Sequence, residues 1–254
     1  MHRSVQDNFM KFTEQFEGGA IDYMFLDVAG RVGTAFGIDL DFNGSGPSPS
    51  LALSRSQGLP KAKALNWVVR ATGLPASEDK VAREWETIKA LPMPAKVYTW
   101  YYQYTQLQLT RQSMENRVMQ LLRMNEATLK QNAAFKDFES WPADAQLAVL
   151  GLSWNGVGHI VGNTHGSLSH PEAFRAACKT EDFNLASTYC RMVSAANNAS
   201  IYRRSMTQKT LLLNAAIVVR EEVLGFYQRS TLYWPRMLAP RAVTSPPHPY
   251  LVRS

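Results

Sequence analysis

Cysteine is scarce in this chain. Its 254 residues include two, Cys178 and Cys190, too few for a disulfide scaffold and without the second pair that a zinc site would need. Both are expected to be buried thiols, the common state of unpaired cysteine. Long apolar runs are also missing. The densest stretch, LLLNAAIVV, stops at REE, well short of the ~18 residues that cross a bilayer, so no membrane-spanning helix is expected. The opening MHRSVQDNFMKFTEQFEGG interleaves charges with aromatic rings, unlike the continuous apolar segment of a secretory signal, so export by the general pathway is not expected. No GxSxG elbow, GxGxxG loop or HExxH pair occurs, and the five histidines, His2, His159, His165, His170 and His248, show no ligand spacing. Serine-hydrolase, nucleotide-binding and metal chemistry are therefore disfavoured, and no cofactor or metal is expected. Long Lys/Arg blocks are absent too, which argues against nucleic acid as a partner.

What remains is a globular composition, 45% hydrophobic and 19% charged, with a net charge of +6. A basic surface suits a polyanion, an anionic membrane or a bacterial wall, and equally suits a protein with no charged target. At this length one large domain or two closely packed lobes are expected.

Val5, Phe9, Phe12 and Phe16 recur at helical steps and predict a first helix over 4–17, stopped by Gly18 and Gly19. The pattern then changes. In YMFLDVAGRVGTAFGIDL, β-branched and aromatic residues surround a turn at Asp27–Gly30, with Val32, Thr34, Phe36 and Ile38 alternating, which predicts a hairpin or small sheet. Residues 43–50, NGSGPSPS, predict a loop or linker, and helices are expected to dominate beyond it. Ser77 is a candidate N-cap for a helix running to Pro92, and another helix starts near Thr110 with Met114, Val118, Leu121 and Leu122 on one face. PADAQLAVLGLSWNGVG, opened by Pro142 and apolar on most sides, predicts the central buried helix. Further helices fit 171–178, 182–195 and 207–227, and the proline-bearing tail from Trp234 reads as extended and surface-lying. The class is α+β.

Two carboxylates can divide acid and base roles if their surroundings differ. Glu17, at the predicted end of the first helix, faces unpaired carbonyls and the negative dipole end, which favour its protonated form. Asp27, in a polar turn ten positions later, is expected to stay ionised.

The string FEGG followed by YMFLDVAGRVGTAFG resembles the helix-to-sheet element of the phage-type lysozymes. ADAQLAVLGLSWNGVG and the helix that begins LT at Leu109 and Thr110 resemble that family's C-terminal lobe. The resemblance covers most of 5–40 and 105–225. It implies a lysozyme-like domain over 1–233, with a small lobe at about 18–60 and a helical lobe at about 105–230 joined by the first helix, followed by a proline-rich tail over 234–254.

By that resemblance Glu17 is the general acid of an N-acetylmuramidase and Asp27 the residue that positions or deprotonates water in an inverting cleavage. Thr34 is a further catalytic-site residue and Asn155 a substrate contact. The Glu–Asp spacing is one residue wider than the family's usual one and the threonine falls one position late, so Thr34 reaches the site only if a bulge, for which Gly33 is suited, restores its face. A lytic transglycosylase, which needs the Glu alone, and a wall-binding module without catalysis are the alternatives. The string also resembles signal-less lysozyme-like effectors of the type VI secretion system in Gram-negative bacteria. That implies synthesis in the cytoplasm, action on peptidoglycan in the periplasm of a target or host after specialised delivery or phage holin release, and an immunity protein or secretion component as partner.

Outside this motif, VYTWYYQYTQLQL combines aromatic and polar side chains; core packing is the favoured role and a sugar-lined cleft the alternative. Trp154 reads as core. Arg203 and Arg204 read as a solvated basic face, with contact to peptide carboxylates as the alternative.

Overall fold

In the computed structural model the stripe Val5, Phe9 and Phe12 is fully buried on the first helix. The structure describes residues 1–16, 19–27, 29–41, 51–92, 98–154, 158–161, 168–193 and 199–239. Helix α1 (Arg3–Glu14) closes with the Gln15 and Phe16 N–H groups donating to Phe12 and Thr13 carbonyls, three residues earlier than the phenylalanine spacing predicts.

The predicted hairpin is a three-stranded antiparallel sheet in sequential order, β1 (Ile21–Leu26), β2 (Val32–Ala35) and β3 (Ile38–Asp39). Phe25 pairs with Gly33 and Leu26 with Val32, whereas Ile21 pairs with Ala35, so the register shifts between Ile21 and Phe25. The irregularity therefore lies in β1, and Gly33 sits in regular pairing with Phe25 and Asp39. There a side chain is excluded for another reason: a Cβ on Gly33 would meet the Phe25 ring at 3.1 Å. Val32 to Phe36 are all buried, so the sheet is covered on both faces rather than half exposed.

Beyond the loop predicted at 43–50, which lies outside the described residues, the chain is not purely helical. Helix α2 (Leu51–Lys63) carries Pro60, and β4 (Trp67–Val69) pairs antiparallel with β5 (Leu107–Leu109). These strands are three residues each and join across forty positions, too short and too distant for local periodicity to reveal. Between them, α3 (Glu78–Ala90) begins where Ser77 accepts the Lys80 N–H and buries Val81, Trp85 and Ile88. A 3-10 segment, Tyr98–Tyr104, then leads into β5. Thr110 accepts the Ser113 N–H to cap α4 (Arg111–Lys130).

Every residue of α5 (Ala143–Ser153) is buried. It packs against α1, α4 and α9 (Ala199–Glu221), with the short α6 (Gly158–Val161), α7 (Pro171–Lys179) and α8 (Phe183–Tyr189) completing the helical part. Helix α8 is shorter than the predicted 182–195, and α9 begins eight residues before the predicted 207. Cys178 and Cys190 are free and buried. The tail is not free at its start. Trp234 packs edge-on against Phe12 at 5.6 Å, and the Leu238 N–H donates to Asn214. The architecture is α+β, largely helical with small antiparallel sheets. No helix among the described residues is long and apolar enough to cross a membrane.

Candidate active site

Asp27 follows β1 directly and begins the turn into β2. Its N–H donates to the Arg31 carbonyl and its carbonyl accepts the Gly30 N–H, with Gly30 at φ +73°. A residue with a side chain pays steric cost at that φ, so glycine belongs there. The carboxylate is occupied on both oxygens. Oδ1 accepts the Ala29 and Arg31 N–H groups at 2.8 and 2.9 Å, and Oδ2 accepts Arg31 Nε at 2.8 Å and Nη2 at 2.7 Å. These four donors match the roughly four lone-pair sites of an ionised carboxylate. Arg31 also reaches Asp39 at 3.2 Å, and Lys89 on α3 donates to the Gly30 carbonyl at 2.9 Å while pairing with the fully buried Asp41. The turn is thus gripped from strand and helix, with about a quarter of the Asp27 side chain open to solvent.

Tyr101 is the neighbour that the pattern of residues did not single out. It is buried, its phenol is pushed up first by burial and then by the charge of Asp27, and its hydroxyl has no hydrogen-bond partner among the described residues. The aromatic run that contains it divides between two roles. Tyr101 goes inward, while Tyr98, Tyr102 and Tyr104 stay exposed, with Tyr98 and Tyr102 resting on Phe25 and Tyr23 of β1.

Thr34 lies on β2, pairs with Ile38 and is fully buried; its hydroxyl donates to the Ile21 carbonyl at 3.4 Å. That contact is committed to the sheet, and no hydrogen bond joins Thr34 to Asp27. Glu17 and Asn155 lie outside the described residues. Because α1 ends at Glu14, the dipole reasoning for a residue in its last turn applies to Glu14 and not to Glu17. Glu14 itself is paired with Arg111.

Beside the residue that precedes Glu17 there is a polar group within the core. Arg204 is buried, against the expected solvated face, whereas Arg203 is exposed. The Arg204 guanidinium lies 6.0 Å from the Phe16 ring centre and donates to the Gly151 carbonyl at 2.9 Å. Gln208, one helical turn on, is fully buried, and neither its Oε1 nor its Nε2 has a hydrogen-bond partner among the described residues. Its Nε2 would lie 3.5 Å from a Cβ on Gly151, which would also strike the Phe12 ring at 2.8 Å. Glycine therefore lets α1, α5 and α9 approach at this point. Buried amides without partners are rare and call for an explanation. Trp154, half-buried rather than core, packs on Phe9 and donates to the Phe36 carbonyl at 3.1 Å, tying the end of α5 to the β2–β3 turn.

No family model, curated protein or solved structure matches this chain. The site's chemistry is consequently read from its own residues.

Proposed function

We infer that the chain cleaves the glycan strand of bacterial peptidoglycan in the manner of a lysozyme-like N-acetylmuramidase, with Glu17 as general acid. The observation that supports the reading is the buried Arg204 guanidinium beside Phe16, next in sequence to Glu17, with the buried Gln208 one helical turn on. Fixed polar groups of this kind suit a site that positions an acid or a polar substrate. Asp27 supplies the fixed negative charge. Saturated by four donors, it is suited to stabilising positive charge developing on the sugar more than to abstracting a proton from water. Thr34 is left out of the chemistry because its hydroxyl is spent within the sheet, and Asn155 is retained as a substrate contact on the sequence resemblance alone. Delivery into a target periplasm, and an immunity or secretion partner, belong to the same reading.

The saturation of Asp27 favours one second reading, a lytic transglycosylase, in which the Glu acts alone and the muramic acid hydroxyl replaces water. Digestion of purified sacculi, with fragments identified by mass spectrometry, tests both. Reducing muramic ends support the hydrolase and anhydro-muramic ends the transglycosylase. Full activity in Glu17→Gln rules out the acid in either version, and retention on sacculi with no released fragment leaves a non-catalytic wall-binding module.

A further inference from the structure

Helix α3 separates its charges by face. Glu78 pairs with Lys63 at 3.3 Å and Glu86 with Arg55 at 2.8 Å, both toward α2, while Lys80 and Arg83 have no ion-pair partner among the described residues. One and two turns along, these two cations share a face with Glu84 and Thr87. That face borders a hollow of about 340 Å³, closed on the other side by the ends of β4 and β5 and by Tyr104.

Glu84 offsets part of that positive charge; it is buried, and one carboxylate oxygen accepts the Gln106 N–H at 2.6 Å and the Leu107 N–H at 3.0 Å, which holds β5 to α3. Arg70, whose charge acts on Glu84 from the strand side, donates to Thr105 and lies 3.9 Å from the Tyr102 ring centre. Two cations, Lys80 and Arg83, and one carboxylate, Glu84, thus line the hollow. Tyr104, 38% exposed and tilted against Trp100 at 4.7 Å, lines the hollow together with Gln106 and with Thr87, whose hydroxyl donates to the Arg83 carbonyl.

We propose that this hollow between α3, β4, β5 and Tyr104 is a binding site for an acidic saccharide, one sugar unit stacking on Tyr104 while its carboxylate engages Lys80 and Arg83. An aromatic face suits the apolar side of a pyranose, a hydroxyl and an amide suit its hydroxyls, and a Lys–Arg pair suits a carboxylate. The volume sits at the small end of ligand sites, which fits a single sugar with its acidic substituent. Most of the lining, Val69 to Tyr104, lies between the two stretches that the lysozyme resemblance covers, with Gln106 and Leu107 at the start of the second. Equating the acidic saccharide with a peptide-bearing wall fragment rests on the muramidase reading; the chemical class does not.

Binding measured by calorimetry and by amide shifts, with no turnover required, separates the two. The probes are a disaccharide–tripeptide from peptidoglycan, a hyaluronan tetrasaccharide and neutral chitotetraose. Expected are binding of at least one acidic probe with shifts at Thr87, Gln106 and Leu107, affinity lowered about tenfold in Lys80→Gln/Arg83→Gln, and a loss in Tyr104→Ala that Tyr104→Phe restores. The three side chains changed, Lys80, Arg83 and Tyr104, are exposed, so the variants keep the core intact. If hyaluronan alone binds in this way, the site stands and its link to the wall is lost. No acidic probe binding, equal binding of chitotetraose, or unchanged affinity in the double variant overturns the assignment, whatever the outcome of the cleavage assay.

Discussion

The sheet rim and the helical centre treat the same chemical group in opposite ways. At the rim, Asp27 and Asp39 share Arg31, and Asp41 pairs with Lys89. Each carboxylate meets a cation. At the centre, Asp144 on α5 is fully buried and held by neutral donors, the Asn214 amide at 2.9 Å and the Tyr233 N–H at 2.8 Å. Burial outweighs those bonds and pushes its carboxyl up to about 6. A carboxylate at the rim is held by a partner of opposite charge, while a carboxyl at the centre serves as a hydrogen-bonding clamp that pins the segment after α9.

The sharpest way to test the rim is Asp27→Asn, which keeps the shape and removes the charge. The expected fall in release of soluble muropeptides from sacculi is about 10²–10³-fold, the range for removing one preorganised electrostatic stabiliser. A fall under about threefold would move the reading to the acid-only transglycosylase. At the centre, Leu150→Ala removes a fully buried side chain from α5 and should cost about 2–5 kcal/mol in urea unfolding without touching the rim's charges.

Asp144→Asn probes the contrast directly. Its folded value of about 6 stands above the ordinary 3.8, so the native state binds the extra proton between these values. The stability contributed by Asp144 is therefore complete below about pH 4 and is lost as pH rises through about 6. Relative to the wild type, the Asn variant should gain on the order of 3 kcal/mol across that window and then level off. Unfolding curves at pH 4, 5, 6 and 7.5 check it, and a difference that does not change with pH would mean that folding leaves the Asp144 carboxyl at its ordinary value. Smallest is Arg31→Gln. Its pairs are only part-buried, so stability should drop by less than about 1 kcal/mol in the same unfolding assay, while glycan cleavage falls because Asp27 loses its clamp.

Much of this was legible in the residues. The phenylalanine stripe of α1, the turn at Asp27–Gly30, the caps Ser77 and Thr110 and the all-buried α5 each follow from local periodicity or from a side chain that satisfies a backbone donor a few positions away. The misses share a cause. Strands β4 and β5 pair across about forty residues, Arg204 is buried where α5 offers it a carbonyl, and Thr34 is buried because the sheet is covered on both faces. None of these leaves a trace at short range.

The sequence alone determined most of the longer helices, where the first sheet turns, and that an Asp stands at that turn. Period and capping are properties of neighbouring residues. Tertiary structure decided what surrounds that Asp: its donors, Ala29 and Arg31, are local, but Asp39 shares Arg31 and Lys89 of α3 grips Gly30. It likewise decided which aromatic residues between α3 and β5 face solvent, and that Lys80 and Arg83 look across at Tyr104. Burial and charge pairing depend on groups far apart in the chain, and only packing brings them together.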